Sequence, residues 1–177
     1  MSLIGKLVRL RPFEPEEADT VWRWHNDPDV TRWLEESYPE PLAAIRKRWA
    51  DRPANCFQRT VFGIETRAES RLIGVVVLRD ATPEHGRAEL DIYIGEKDCW
   101  NGGYGTDAMR VMCRYGFDFM RLHAIELSVV DENERARHVY RKVGFVEEGR
   151  LREAFRRDGR WHDVYVMSLL EGELVDG

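Results

Sequence analysis

Alternating apolar and polar residues predict strands at several points of the chain. Residues 6–11 alternate and stop at Pro12, and residues 57–66 and 71–79 are rich in β-forming residues, which predicts a hairpin. Residues 88–94 alternate most regularly, with Leu90, Ile92 and Ile94 on one face and Glu89, Asp91 and Tyr93 on the other. We also predict a strand over 124–130 and a final hairpin from Phe145, with Asp158-Gly159 as its tight turn.

Helical spacing predicts four helices between these strands. They cover residues 14–26, 42–50, 103–120 and 132–142, and Gly144 supplies a left-handed cap for the last one. In the third, Ala108, Met112, Tyr115 and Phe119 form a stripe that we expect to face the core. The element order predicts a mixed α/β fold with one strand–helix–strand unit in its middle, and 177 residues predict a single domain over 1–177.

Composition narrows the classes of partner and compartment. The net charge of −5 disfavours nucleic acid as a partner, and no apolar run reaches the length of a membrane-spanning helix. The three cysteines have no disulfide or zinc spacing, which favours a reducing, cytoplasmic setting, and we expect Cys113 to be a buried apolar residue. The five histidines show no metal-ligand spacing, so no metal is expected.

The segment WNGGYGTDA, residues 100–108, places three glycines just before a predicted helix. It matches G-x-G-x-x-[GA], but the first glycine stands well after the strand rather than directly behind it, which disfavours a dinucleotide fold. A P-loop would need Gly-Lys-Ser/Thr, which is absent. The remaining interpretation is an anion cradle, in which backbone N–H groups and the positive end of a helix hold a pyrophosphate.

Three motifs together resemble the GNAT acyltransferases, and particularly their RimJ/RimL branch. Residues 100–108 resemble the segment with which the family grips the pyrophosphate of coenzyme A, although Asn101 replaces a common glycine. Residues 133–145, NERARHVYRKVGF, resemble the family's N-x-x-A-x-x-x-Y-x-K-x-G-F, and residues 24–30, WHNDPDV, resemble the early W-x-N-D-P-x-V. The resemblance implies one GNAT-type domain with a central, twisted, mostly antiparallel sheet, one parallel strand pair around the cofactor loop, and flanking helices.

The resemblance also implies an acetyl-CoA-dependent N-acetyltransferase in which a primary amine attacks directly in a ternary complex. Tyr140 corresponds to the residue that protonates the departing thiolate. The implied cofactor-binding residues are Ile92, Tyr93, Ile94, Trp100, Asn101, Gly102, Gly103, Tyr104, Gly105, Thr106, Asn133, Arg137 and Tyr140. Simpler interpretations stay open, since Tyr140 lies on an apolar helical stripe and Asn133 is a suitable helix cap.

Acidic residues are the candidates for binding the amine that accepts the acetyl group. Glu89 is the candidate base or amine holder and Asp91 its alternative, unless that strand face is simply solvated. Glu35, Glu36 and Tyr38 lie in a loop that resembles the acidic loop of bacterial spermidine acetyltransferases, and a solvated charge cluster is the alternative. The predicted partners are therefore a small amine or polyamine, or a protein N-terminal amine, and a homo-oligomer is compatible with the sequence. A non-catalytic acyl-CoA-binding or regulatory domain is the alternative function.

Overall fold

The computed structural model describes residues 3–35 and 38–177. Within that part, seven strands form one sheet in the order β1-β2-β3-β4-β5-β7-β6. The strands are β1 Val8–Arg11, β2 Arg59–Thr66, β3 Leu72–Thr82, β4 Arg87–Ile94, β5 Ala124–Val130, β6 Val146–Arg157 and β7 Arg160–Leu170. Only β4 and β5 pair in parallel among these described strands, and every other neighbouring pair is antiparallel. This mixed sheet is the one that the resemblance implied, and it differs from the parallel sheet of a dinucleotide fold.

The helices are α1 Ala18–His25, α2 Pro28–Thr31, α3 Leu42–Ala50, α4 Tyr104–Arg114 and α5 Glu134–Val143. Helices α4 and α5 bury their apolar residues against one face of the sheet, where Leu78, Ile125 and Leu127 belong to the same core. Helices α1 to α3 cover the other face, where Val61, Val75 and Val77 form the floor. Different helices therefore cover the two faces of the sheet, and residues from both faces line the cavity described below.

Most predicted elements are confirmed, although the ends of several of them lie a few residues from the predicted bounds. Gly144 ends α5 in the left-handed region at φ 117°. Asp158 and Gly159 both have positive φ, as the tight turn between β6 and β7 requires. The short helix α2 was not predicted; it begins at Pro28, and the Asp27 side chain accepts a hydrogen bond from the Asp29 N–H at 3.0 Å.

The predicted helix over 103–120 is wrong in its last turn. α4 ends at Arg114, and Tyr115–Phe119 forms a π-helical turn in which the Met120 N–H donates to the Tyr115 carbonyl at 3.2 Å. The wider turn shifts the phase of the side chains, so Phe119 is 59% exposed although Ala108 and Met112 are fully buried. Gly116 allows this turn to lie close to β5, because a Cβ there would come within 3.0 Å of Ile125.

Candidate active site

A cavity of about 650 Å³ opens where β4 and β5 separate. The parallel pairing of these strands covers only Arg87–Glu89 with Ala124–Glu126, after which β4 continues to Ile94 without β5 beside it. Ile92, Tyr93 and Ile94 line the cavity along this stretch. The gap leaves that edge of β4 accessible to a ligand, which is where the sequence predicted a cofactor arm.

The glycine loop forms one end of this cavity. The Trp100 indole N–H donates to the Ile94 carbonyl at 2.8 Å and ties the loop to the end of β4. Asn101 and Gly103 adopt left-handed backbone conformations at φ 60° and 84°, so Asn101 tolerates the position that a glycine commonly fills. Six loop residues line the cavity, namely Trp100, Asn101, Gly103, Tyr104, Gly105 and Thr106. Gly102 belongs to the loop but lies outside the described lining.

The start of α4 suits an anion. Its N-cap is Gly103, so no N-cap side chain occupies the first amide groups of this eleven-residue helix. Those N–H groups and the positive end of the helix favour negative charge. A Cβ on Gly105 would have Ile94 as its nearest neighbour, at 3.8 Å, so there is free space beside the first turn of this helix. This arrangement fits the pyrophosphate that the sequence predicted there.

Helix α5 contributes Tyr140 to the same cavity, and its N-cap residue Asn133 also lines it. Tyr140 is only 9% exposed; burial raises the pKa of its phenol, and the nearby Asp91 carboxylate raises it further. Its hydroxyl therefore keeps its proton at neutral pH. The Asn133 side chain accepts a hydrogen bond from the Ala136 N–H at 3.3 Å, so it caps α5 while it also lines the cavity.

Arg137, which the resemblance assigned to the cofactor, is placed elsewhere. Its guanidinium donates to the Asp131 carboxylate at 2.8 Å and lies 4.3 Å from the centre of the Tyr165 ring, outside the described lining. Arg135 lines the cavity instead and lies 4.0 Å over the Trp100 ring. The sequence pattern missed Arg135, because its contact joins a helix to a loop that is distant along the chain.

Glu89 and Asp91 both line the cavity on one strand face, but neither carboxylate is free. Arg79 reaches Glu89 at 2.8 Å and Asp91 at 2.6 Å. Burial raises the pKa of Glu89, and the opposing charge of Arg79 partly offsets that effect. Arg79 was not among the predicted site residues. Its position follows from the register that pairs it with Glu89 across β3 and β4, which the sequence did not specify.

The acidic loop is only partly brought to the cavity. Glu35 lines it and is exposed, while Glu36 lies outside the described residues. Tyr38 is 83% exposed and borders a second cavity of about 310 Å³, which shares His25 with the main one. His25, which was not predicted, lines the main cavity, and its Nε2 is 2.9 Å from the Tyr93 hydroxyl.

The structure bears on two kinds of feature, membrane-spanning helices and metal-ligand clusters. Within residues 3–35 and 38–177, no helix is long and apolar enough to cross a membrane. In the same ranges, no group of three or more His, Cys, Asp and Glu side chains is arranged to hold a metal ion.

Cys113 is fully buried, and burial raises the pKa of its thiol. This is the environment of a packed apolar residue rather than of a nucleophile.

Comparison with known proteins agrees with this geometry. The profile of the acetyltransferase (GNAT) domain matches residues 8–146. The spermidine N(1)-acetyltransferase of Escherichia coli strain K12 is 32% identical over 170 residues, covering 95% of this chain and 88% of the relative. The crystal structure of spermidine N-acetyltransferase from Vibrio cholerae in complex with CoA and spermine aligns with a TM-score of 0.81 at 28% identity, over 94% of this chain and 96% of that chain. A GNAT-family acetyltransferase structure from Bacillus anthracis gives the same TM-score at 25% identity, over 98% of this chain and 100% of that chain.

The motifs, the separated parallel strands and these matches lead to one assignment. The chain belongs to the GNAT acetyltransferase family and is an N-acetyltransferase that uses acetyl-CoA.

Proposed function

We propose that this enzyme acetylates a primary amine by direct attack in a ternary complex, with Tyr140 as the general acid. The observation that supports this most strongly is the position of Tyr140, which is 9% exposed and lines the cavity where β4 and β5 separate. Acetyl-CoA supplies the activated acetyl group as a thioester. The amides at the start of α4 would hold its pyrophosphate, and the free edge of β4 would hold its pantetheine arm. Tyr140 holds a proton on its hydroxyl and delivers it to the leaving group.

We further propose that Glu89 receives the proton of the attacking amine, directly or through a water molecule. Its raised pKa brings it closer to the range in which a carboxylate acts as a base at neutral pH. The ion pair with Arg79 holds the Glu89 carboxylate in one orientation. Asp91, held by the same guanidinium, is the second candidate for this role.

Two classes of acceptor agree with this mechanism. A small amine or polyamine is favoured by the relatives named spermidine acetyltransferases and by Glu35 at the cavity. A protein N-terminal amine is favoured by the resemblance to the RimJ/RimL branch. A screen of amines that follows the release of free thiol from acetyl-CoA separates the two classes.

The decisive experiment on the mechanism is Tyr140→Phe, which removes only the hydroxyl. We expect thiol release to fall by about 10²- to 10⁴-fold, the usual contribution of a general acid. Affinity for coenzyme A, measured by calorimetry, should hold. The matched control is Tyr115→Phe, since Tyr115 is a partly buried tyrosine that packs on Phe62. A rate that Tyr140→Phe leaves unchanged, together with a lowered melting temperature, would assign Tyr140 to packing alone.

A further inference from the structure

Residues 33–35, which we call the acceptor segment, line the main cavity although they belong to no helix or strand. Glu35 in this segment forms no ion pair with any residue in 3–35 or 38–177. The other carboxylates of the lining are each paired with a lysine or an arginine, namely Asp29, Glu89 and Asp91. Among the described residues, Glu35 is therefore the one lining carboxylate that a cationic ligand can reach without breaking an ion pair.

Arg157, the last residue of β6, holds the backbone of the acceptor segment. Its Nη2 donates a hydrogen bond to the Leu34 carbonyl at 2.6 Å, although the two residues are 123 positions apart. This carbonyl belongs to the peptide unit that joins Leu34 to Glu35. A hydrogen bond from a charged donor is roughly twice as strong as a neutral one. The guanidinium is itself held 5.3 Å from the centre of the Phe155 ring, so the contact starts from a fixed position on the hairpin.

Aromatic packing fixes the preceding residue of the acceptor segment. The Trp33 ring meets the His162 ring edge-on with their centres 5.6 Å apart, and it lies 6.4 Å from the Phe155 ring. His162 is only 5% exposed, so Trp33 packs on a ring that the hairpin holds in place. Trp33 and Leu34 are thus both fixed by the β6–β7 hairpin, one through its ring and the other through its carbonyl.

The hairpin is also tied to the side of the cavity that is proposed to hold the cofactor. The His162 Nδ1 lies 2.7 Å from the Glu132 carboxylate, and this hydrogen bond lowers the pKa of Glu132. Glu132 directly precedes Asn133, which caps α5 and lines the cavity. β7 also pairs along the full length of β5, the strand whose separation from β4 opens the cavity. The hairpin therefore connects the start of α5 to the acceptor segment.

We propose that Arg157 and His162 are positioning residues for the acceptor, which hold Glu35 where it binds a second ammonium group of a diamine or polyamine. They act through the Leu34 carbonyl and the Trp33 ring, and neither needs to touch the reacting atoms. The inference rests on the proposed function and deepens it, because it assigns recognition of the acceptor to the hairpin as well as to the acidic loop. A displaced backbone would move the Glu35 charge away from the ligand, and the attraction between two charges falls with distance.

1,4-Diaminobutane and 1-aminobutane test this, because they share a four-carbon chain and a primary amine and differ in the second ammonium group. We expect kcat/KM of the wild type for the diamine to exceed that for the monoamine by about tenfold, as for one hydrogen bond between charged groups, beyond the statistical advantage of its two equivalent amines. Arg157→Gln should lower this preference by raising KM for the diamine, with kcat nearly retained. Arg157→Lys, which keeps a charged donor, should restore part of it.

A second substitution and a matched control lie on the same hairpin. His162→Gln removes the ring that packs on Trp33 but keeps an amide N–H for Glu132, and it should also lower the preference. Arg156→Gln, at the neighbouring and exposed position of β6, is the control and should keep the preference. The affinity of Arg157→Gln for coenzyme A, measured by calorimetry, should match that of the wild type, which separates a displaced acceptor segment from a general loss of folded enzyme.

Glu35→Gln distinguishes positioning from general stability. It should remove the diamine preference, and Arg157→Gln added to it should change the preference no further, because the charge being positioned is gone. Hydrogen exchange at the amides of residues 33–35 gives a readout that does not depend on turnover. It should accelerate in Arg157→Gln and not in Arg156→Gln.

The outcomes separate this inference from the function on which it rests. Equal use of both amines by the wild type, a preference that survives Arg157→Gln, or unchanged hydrogen exchange in that variant would overturn the positioning inference alone. Binding of acetyl-CoA without thiol release for any amine, spermidine included, would overturn the proposed function and this inference together.

Discussion

Glu96 lies two residues after the end of β4, and its buried carboxylate links the segment before the glycine loop to helix α1 and to Arg71. It is 8% exposed and accepts hydrogen bonds from Arg23, from the Trp24 indole at 2.9 Å and from Arg71 at 2.8 Å. Burial by itself raises the pKa of Glu96, but these hydrogen bonds and charges outweigh burial and hold the pKa below its ordinary value. The carboxylate therefore stabilises the fold only while it is ionised.

We expect Glu96→Gln to lower the free energy of unfolding by about 1–3 kcal/mol at neutral pH. Because the folded pKa is depressed, this contribution is fully present above the unfolded value of about 4.3 and is lost as the pH falls through the folded value. Urea unfolding of both proteins from pH 7 to pH 3 measures the difference, which should shrink with acidification. Asp98→Asn, which removes an exposed carboxylate from the same Arg71, should change little. A difference that stays constant with pH would contradict the assigned charge.

Residues within a motif could be predicted from their spacing along the chain, whereas residues that act through contacts between elements could not. Tyr140, Gly103 and Gly105 line the cavity, and spacing could point to them because a motif lies within one or two neighbouring elements. Arg79 and Arg135 were missed, because each reaches the cavity through a contact with another element.

Among the elements, β1 and α4 are joined by one side chain. Asp107, in the first turn of α4, accepts hydrogen bonds from the N–H groups of Lys6, Leu7 and Val8 at 3.0, 2.7 and 3.0 Å. The residues before β1 were predicted as part of that strand, but Asp107 takes their amides instead. The helix that follows the glycine loop is thus held to the segment that leads into β1, the edge strand of the sheet.

Asp107→Asn should loosen this connection, because an amide oxygen is uncharged and its nitrogen cannot accept. We expect a loss of about 1–3 kcal/mol in the free energy of unfolding. Hydrogen exchange should also accelerate selectively at the amides of residues 6–8. Asp118→Asn, at an exposed position in the π-helical turn, is the control. Uniform acceleration across all strands would show that Asp107 stabilises the whole fold rather than this junction.

At the scale of the molecule, the cofactor should bind across elements that are far apart in sequence. β4, the glycine loop and α5 each supply part of the cavity lining. A ligand that contacts all three only in the folded state stabilises that state by mass action.

Acetyl-CoA at 100 times its dissociation constant should therefore add about 2.7 kcal/mol to the free energy of unfolding, or about 5–10 °C in melting temperature. Coenzyme A should act similarly, and NAD should not. Gly103→Ala should reduce this shift, because φ at Gly103 is 84° and an alanine there disfavours the loop conformation. Gly172→Ala, at φ 89° with no atom near its Cβ, carries the same backbone cost but should keep the shift. A shift that Gly103→Ala leaves intact would contradict the role given to the loop.

The amino-acid sequence was sufficient to predict the strands, four of the helices, the glycine loop and the helix that carries Tyr140. These features depend on periodicity, turn chemistry and motif spacing, which act within a few residues of one another. Three features became visible only in the folded chain: Tyr115–Phe119 forms a π-helical turn, Arg79 forms ion pairs with Glu89 and Asp91, and Arg135 rather than Arg137 lines the cavity. Each of these depends on strand register and on packing between distant elements, where burial and charge are set by neighbours that local spacing does not specify.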